Sequence, residues 1–306
     1  MRLVLTQDDR IGVERDGSMV DVSAAFADIR YRSAADRMPR VLGAFNERRT
    51  RVEELAASGR AESMPALQAP VPRPPKLIAA FGNYREGSDR ERQTQDMFLE
   101  SPDSVIGPGG TVILPNHPAT IFHHEAELAL VVGQRAKDLP ADERALEALV
   151  GYTCAIDVSA RGMGRIGPSR IGKSFDTFKP LGPAIVTTDE VPDPQNLQIK
   201  LWVNSELKQN FNTSDMAHKI PRCIEWVSSI HAIEAGDILA TGTNHRGLSA
   251  FQDGDVIEIE TEKLGRLTFN VKDDLKRTWG RDTRLDRQNA KQEGQTPQLT
   301  GKYAKA

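Results

Sequence analysis

The chain has 306 residues, 39% of them hydrophobic and 27% charged, with a formal net charge of -3. This is the composition of a globular protein with one large core or two domains rather than of a disordered or membrane one. No basic stripe with interleaved aromatics argues for nucleic acid, and no apolar run is long enough to span a membrane.

Residues 1–70 read as a small N-terminal α/β domain. "RLVL", "IGVERDG" and "MVDV" have strand composition, with Asp16-Gly17 as a turn. The opening apolar run is too short for a secretory signal, so a cytoplasmic location is expected, with Cys154 and Cys223 as free thiols. Met38, Val41, Leu42 and Phe45 recur at i, i+3, i+4 and i+7, the stripe of an amphipathic helix over 36–58. Pro70, Pro72, Pro74 and Pro75 cannot continue a helix and mark a boundary.

Residues 71–280 form the expected core domain. "KLIAAF" reads as a buried strand, and "REGSDRERQTQDMFLE" is polar and helix-permissive. "GPGGTVILP" is a turn feeding a strand, "AELALVVG" is a strand, and "ADERALEALVG" is a short helix ended by Gly151. "GPAIVTT", "LQIKLWVN", "DILATG", "DVIEIET" and "RLTFNV" are further strands. A helix is expected over Pro221 to Ile230, with Ile220, Cys223, Ile224 and Val227 on one side. Strands follow one another mostly without helices between. That predicts an α+β, mainly β chain with an antiparallel or mixed core rather than a doubly wound sheet. Residues 281–306 are expected to be a polar, mobile or surface-draped tail.

"RGMGRIGPSR" contains a G-x-G-x-x-G, formed by Gly162, Gly164 and Gly167. A dinucleotide loop needs a strand before these glycines and a helix opening at them. Pro168 and Gly172 weaken any such helix, and the following segments read as strands. The glycines are therefore read as a loop that bends sharply.

"FHHEAELALVVG" places Glu125 and Glu127 on one side of a strand, roughly 6–7 Å apart along the backbone. Ala129 and Val131 continue that face, while Leu128 and Leu130 take the other. Two like charges there call for a cation, unless the face is simply solvated. Asp157 ends the apolar run "GYTCAIDVSAR". Three carboxylates without a thiolate cluster suit Mg2+ or Mn2+. His123 shares the face, as a ligand that would favour Zn2+ or Fe2+, as a support for the ligands, or as a surface group. Lys173, in "GKSFDTFKPLGP", reads as a surface lysine or as the partner of a metal-bound anion.

Taken in order, "FGNY", "VIGPGGTVILP", "HHEAELALVVG", "GYTCAIDVSAR", "GKSFDTFKPLGP", "VNSELKQNFNTSDM" and "AGDILATGTNHRG" resemble the fumarylacetoacetate hydrolase family over roughly residues 75–275. The resemblance implies a mixed β-roll or sandwich core with a small N-terminal domain, usually as a homodimer. It implies Mg2+ or Mn2+ held by Glu125, Glu127 and Asp157. It matches Lys173 to the active-site lysine, Arg161 to the arginine after the metal aspartate, and Thr243 to the substrate-binding threonine. It also implies a small-molecule 2-oxo acid or 1,3-dicarbonyl (acylpyruvate-like) substrate and chemistry through a metal-stabilised enolate. C–C bond hydrolysis is the first expectation. Keto–enol tautomerisation or isomerisation, or decarboxylation of a 2-oxo dicarboxylic acid, is the second, and a non-catalytic 2-oxo acid binder the third.

Two stretches depart from the family pattern. Hydrolytic members carry a His–Glu pair in N-Y-x-x-H-x-x-E, which activates water. Here "NYREGSDRERQ" has Gly87 and Arg90 at those positions, with Glu91 one step off. "ARGMGRIG" stands where many members have A-R-D-x-Q. His245, in "TGTNHRG", is the expected replacement base, since imidazole titrates near neutral pH.

Overall fold

The computed structural model describes residues 1–87, 94–163 and 170–304. Two antiparallel strands, Ala126–Val132 and Leu149–Ile156, lie at the middle of the main sheet, and every residue in both is buried. Burial on both faces is why each reads as a nearly continuous apolar run. Lys179–Thr187 flanks the pair on one side and Ile238–Ala240 on the other. Beyond Ile238–Ala240 come Leu77–Ala80 and Met97–Glu100. Beyond Lys179–Thr187 come Arg2–Leu5, Ile11–Arg15, Ser18–Asp21 and Ala61–Ser63. The N-terminal strands thus continue the sheet of the core.

Side chains alternate across this sheet and feed two apolar clusters. Leu128, Leu130, Tyr152 and Cys154 face a second sheet, with Ile199, Leu201, Ile257, Ile259, Leu267 and Phe269 in the same cluster. The second sheet runs Glu206–Asn212, Gln198–Val203, Val256–Thr261, Gly265–Lys272, Thr111–Ile113. Ala129, Val131 and Ala155 face the other way, into a cluster with Met38, Val41, Leu42 and Phe45. Those four form the apolar stripe of helix α1, Ala34–Ser58, which covers that face. Helix α2, Ile220–Ile230, carries Pro221 in its first turn, where the missing N–H costs nothing. Its residues Ile220, Cys223, Ile224 and Val227 join the inter-sheet core.

Gly151 does not end a helix. A 3-10 segment, Glu143–Ala148, stops before it, and Gly151 lies inside the strand Leu149–Ile156. A Cβ at Gly151 would lie 2.2 Å from the Val186 carbonyl oxygen, so only glycine lets the neighbouring strand close in. Of the polar segment 85–100, Met97–Glu100 is a strand, and 88–93 lie outside the described residues. After residue 280 come helix α3, Arg284–Asn289, and the strand Gln298–Thr300, which pairs with Thr278–Trp279. A reciprocal capping box between Thr283 and Asp286 starts α3. No helix among the described residues is long and apolar enough to cross a membrane.

Candidate metal centre

The central strand pair assembles the carboxylates. Its register sets Ala126 opposite Ile156 and Glu127 opposite Ala155. One step further, the Asp157 N–H donates to the Glu125 carbonyl at 2.9 Å. Glu125 and Asp157 are therefore cross-strand neighbours, and Glu127, two residues on, shares their face. One oxygen from each of the three lies within 4.8 Å of the others, and all three side chains are buried.

Cations surround part of this cluster. The Lys173 ammonium sits 2.7 Å from Glu125 Oε2 and also bonds Asp157 Oδ2. Arg161, at the end of the strand Ser159–Arg161, bonds Glu125 Oε1. Burial alone would raise the Glu125 pKa, but the charges of Lys173 and Arg161 outweigh it and hold the carboxyl well below its usual range. Burial would lower that of Lys173, yet Asp157 and Glu125 outweigh it and keep the ammonium protonated. Glu127 shifts the other way: burial, then the charge of Asp157, push its carboxyl well up. Its Oε2 accepts the Gly242 N–H at 2.8 Å.

Lys179 lies behind the cluster, fully buried, with its ammonium 2.5 Å from Glu100 Oε2 and 3.3 Å from Asp157 Oδ1. The shifts of this pair oppose one another. Burial and the Asp157 charge push Glu100 up to about 7, while Asp157 and Glu100 outweigh burial and raise Lys179. The ammonium, facing two carboxylates, is the partner that stays charged. Asp157 Oδ1 is in ion-pair range of Lys179 but has no hydrogen-bond partner among the described residues.

These observations test the fit of a metal. An orphaned buried carboxylate oxygen, a second carboxyl driven toward protonation by burial and by its neighbour Asp157, and an all-oxygen donor set fit a hard divalent cation such as Mg2+ or Mn2+. His123 is buried but stands outside the ligand cluster, with its Nδ1 3.5 Å from Arg161 Nε.

His245 reaches the same side. Its Nδ1 lies 2.5 Å from Glu86 Oε1, which also accepts the His245 backbone N–H at 2.9 Å. A carboxylate at Nδ1 selects the tautomer that keeps its proton there and leaves the Nε2 lone pair free. Nε2 is 4.0 Å from Glu125 Oε1. Burial alone would raise the Glu86 pKa; the hydrogen bond and charge of His245 outweigh it and hold the carboxyl below its usual range.

The structure brings Glu125, Glu127, Asp157, Lys173, Arg161 and His245 together. Thr243 is buried one residue beyond Gly242, and its Oγ1 accepts from Gln209 Nε2 at 2.9 Å. Gly162 adopts φ +72, and a Cβ there would meet Thr120 Oγ1 at 1.9 Å, so this turn of the loop requires glycine. Gly164, Gly167, Arg90 and Glu91 lie outside the described residues. Sequence reasoning missed Glu86 and Lys179. Glu86 follows "NYR" directly, but its partner is 159 residues away. Lys179 stood in plain sight in "FKPLGP" as a lysine inside a strand otherwise apolar at that end.

The family described as fumarylacetoacetate (FAA) hydrolase C-terminal matches residues 76–272. A mitochondrial oxaloacetate tautomerase of Rattus norvegicus is 33% identical over 291 residues, 89% of this chain and 91% of its own. The crystal structure of maleylpyruvate hydrolase from Sphingobium sp. SYK-6, in complex with manganese (II) ion and pyruvate, aligns with TM-score 0.79 and 33% identity, covering 89% of this chain and 99% of that one. A 5-carboxymethyl-2-hydroxymuconate delta-isomerase from Mycobacterium smegmatis aligns with TM-score 0.70 and 30% identity, covering 90% and 99%.

Proposed function

This chain belongs to the fumarylacetoacetate hydrolase family, and from that premise we propose that it is a divalent-metal-dependent enzyme that hydrolyses a C–C bond in an acylpyruvate-like 2-oxo acid. The buried trio of Glu125, Glu127 and Asp157, with Lys173 and Arg161 beside it and the Glu86–His245 pair facing Glu125, carries this reading.

Glu125, Glu127 and Asp157 hold Mg2+ or Mn2+. A cation bound there supplies Lewis-acid charge for a developing enolate. The similar Sphingobium hydrolase, in complex with manganese (II) ion and pyruvate, supports that assignment. Lys173 and Arg161 add positive charge for anionic oxygens, and Thr243 orients the substrate. His245 Nε2 takes a proton from water, held in the right tautomer by Glu86. The water oxygen adds to the carbonyl carbon remote from the 2-oxo acid. The C–C bond then breaks, and its electron pair stays with the 2-oxo acid fragment as an enolate. The imidazolium returns the proton to C3 of that enolate, the carbon that kept the electron pair, leaving a 2-oxo acid and a carboxylic acid. The Glu86–His245 pair supplies the base that Gly87 and Arg90 do not.

Tautomerisation is the second reading, favoured by the rat oxaloacetate tautomerase that aligns over 89% of this chain. It uses the same imidazole to move the proton on C3 and needs no water. A homodimer is part of the proposal, checked by the mass in solution. Incubation with acylpyruvates and with the enol form of oxaloacetate, each with and without EDTA, separates the readings. Acid products from acylpyruvate support hydrolysis. Enol–keto relaxation without cleavage supports the tautomerase. Activity unaffected by EDTA removes the metal from both.

A further inference from the structure

We propose that Arg284, with Arg287 and His123, forms a carboxylate subsite beside the metal centre, so that the substrate is a 2-oxo acid carrying a second carboxylate. This rests on the reading above, in which the first carboxylate and the 2-oxo group belong to the metal.

Arg284 opens α3 directly after its capping residue Thr283. Its backbone N–H donates to the Leu248 carbonyl at 2.9 Å, which ties the helix to the turn carrying His245. The guanidinium points inward, with one nitrogen 3.5 Å from His123 Nδ1. Arg161 Nε lies 3.5 Å from that same nitrogen. Two guanidinium groups thus converge on one imidazole.

The two arginines differ in what neutralises them. Arg161 pairs with Glu125. Arg284 feels the charges of Glu125 and Glu86, but neither they nor any other carboxylate among the described residues reaches ion-pair distance of it. One long contact to the His123 ring leaves most of its five donors unspent. A largely buried guanidinium beside a second one is costly without an anion, and a bidentate carboxylate is the anion its fork fits.

There is room for one. A cavity of about 420 Å³ opens at this point, lined by His123, Arg284, Arg287, Gln288, Gln292 and Gln295 among others. Arg287 Nε is buried there without a hydrogen-bond partner among the described residues, although its other nitrogens are held by Gln292 and the Glu293 carbonyl. The lining is cationic and amide-bearing, as carboxylate recognition requires. Apart from His123, these side chains come from beyond residue 272, where the family match ends. The subsite is thus built mainly by the C-terminal segment.

The test uses the full chain loaded with Mn2+ and isothermal titration calorimetry. The probes are oxalate, pyruvate, and the 2-oxo dicarboxylates oxaloacetate, 2-oxoglutarate and 2-oxoadipate. At least one dicarboxylate is expected to bind about tenfold or more tighter than pyruvate. Arg284→Gln is expected to abolish that advantage while leaving oxalate and pyruvate within about twofold of wild type. Arg284→Lys should keep part of it, because the charge remains and the fork is lost. Retention of oxalate binding reports that Arg284→Gln is folded. No preference for any dicarboxylate in the wild type, or an equal loss for all probes in Arg284→Gln, overturns the subsite alone. Failure of oxalate to bind the Mn2+-loaded wild type overturns the metal reading, and this proposal with it.

Discussion

Glu86 and His245, 159 residues apart in the chain, meet at 2.5 Å between Oε1 and Nδ1, with a second bond from the His245 backbone N–H to the same oxygen. One carboxylate oxygen thus fixes both the position of the turn and the orientation of its ring. The other ring nitrogen is left 4.0 Å from Glu125.

In the proposed function His245 is the proton carrier and Glu86 its positioning residue. His245→Gln is expected to lower kcat by about 100-fold or more, the usual contribution of a general base. Glu86→Gln should cost about 10- to 100-fold, with Glu86→Asp recovering part of the loss. Mn2+ affinity, measured by titration, should change little in either. Turnover that persists in His245→Gln with metal binding intact rules out the role.

Glu127 offers a test of the metal site that does not depend on turnover. Its carboxyl is pushed toward protonation by burial and by Asp157, so a neutral amide costs little in the metal-free protein. Metal-free Glu127→Gln should melt at or above the Tm of metal-free wild type. Mn2+ at about 100 times Kd should stabilise the wild type by about 2.7 kcal/mol, and the variant far less. Equal Mn2+-induced shifts in the two proteins would exclude Glu127 as a ligand.

His124 gives the fold a pH dependence of defined sign. It is fully buried and neutral, with Nδ1 donating to Gln209 Oε1 at 3.0 Å and Nε2 bonded to Ser249. Burial pushes its pKa down to about 4. The unfolded chain, near the ordinary 6.5, binds more protons between these values. The stability it contributes is complete above about pH 6.5 and is lost as pH falls toward 4, with about 2 kcal/mol gone by pH 5. Carboxyls with raised pKa values act in the opposite sense. The measurement is therefore the difference in denaturant stability between wild type and His124→Gln, in EDTA, at pH 7 and pH 5. A gap that does not change with pH would reject the assignment.

Arg277 holds the C-terminal segment to the core. It is fully buried, paired with Asp273 through Nε at 2.8 Å, and it donates to the His117 and Pro115 carbonyls at 3.0 Å. Its guanidinium lies 4.8 Å from the centre of the Phe122 ring. Arg277→Ala strands the Asp273 carboxylate and two carbonyls, and is expected to cost about 3–5 kcal/mol in chemical denaturation. Adding Asp273→Ala should cost much less than the sum of the single changes, because the stranded charge is gone. Full additivity would show that the two do not act as a pair.

Local patterning made much of this molecule legible. The spacing of Met38, Val41, Leu42 and Phe45 marked α1, and the strand composition of "AELALVVG" and the apolar run ended by Asp157 marked Ala126–Val132 and the later part of Leu149–Ile156. Gly151 misled, because a glycine that ends a helix and one that admits a neighbouring backbone look alike in sequence. The capped helix at Arg284–Asn289 was hidden in a polar stretch, since its hold comes from Thr283, Asp286 and the contact with Leu248 rather than from an apolar stripe.

The chain alone determined that two glutamates share a strand face, because side-chain direction repeats every two residues whatever the strand packs against. Only the tertiary structure decided what answers them. The register that sets Asp157 beside Glu125, the ammonium groups of Lys173 and Lys179, the turn that hands His245 to Glu86, and the helix that carries Arg284 inward all join segments far apart in the chain. Such pairings arise from the closing of the sheets and the return of the C-terminal segment, and no local period records them.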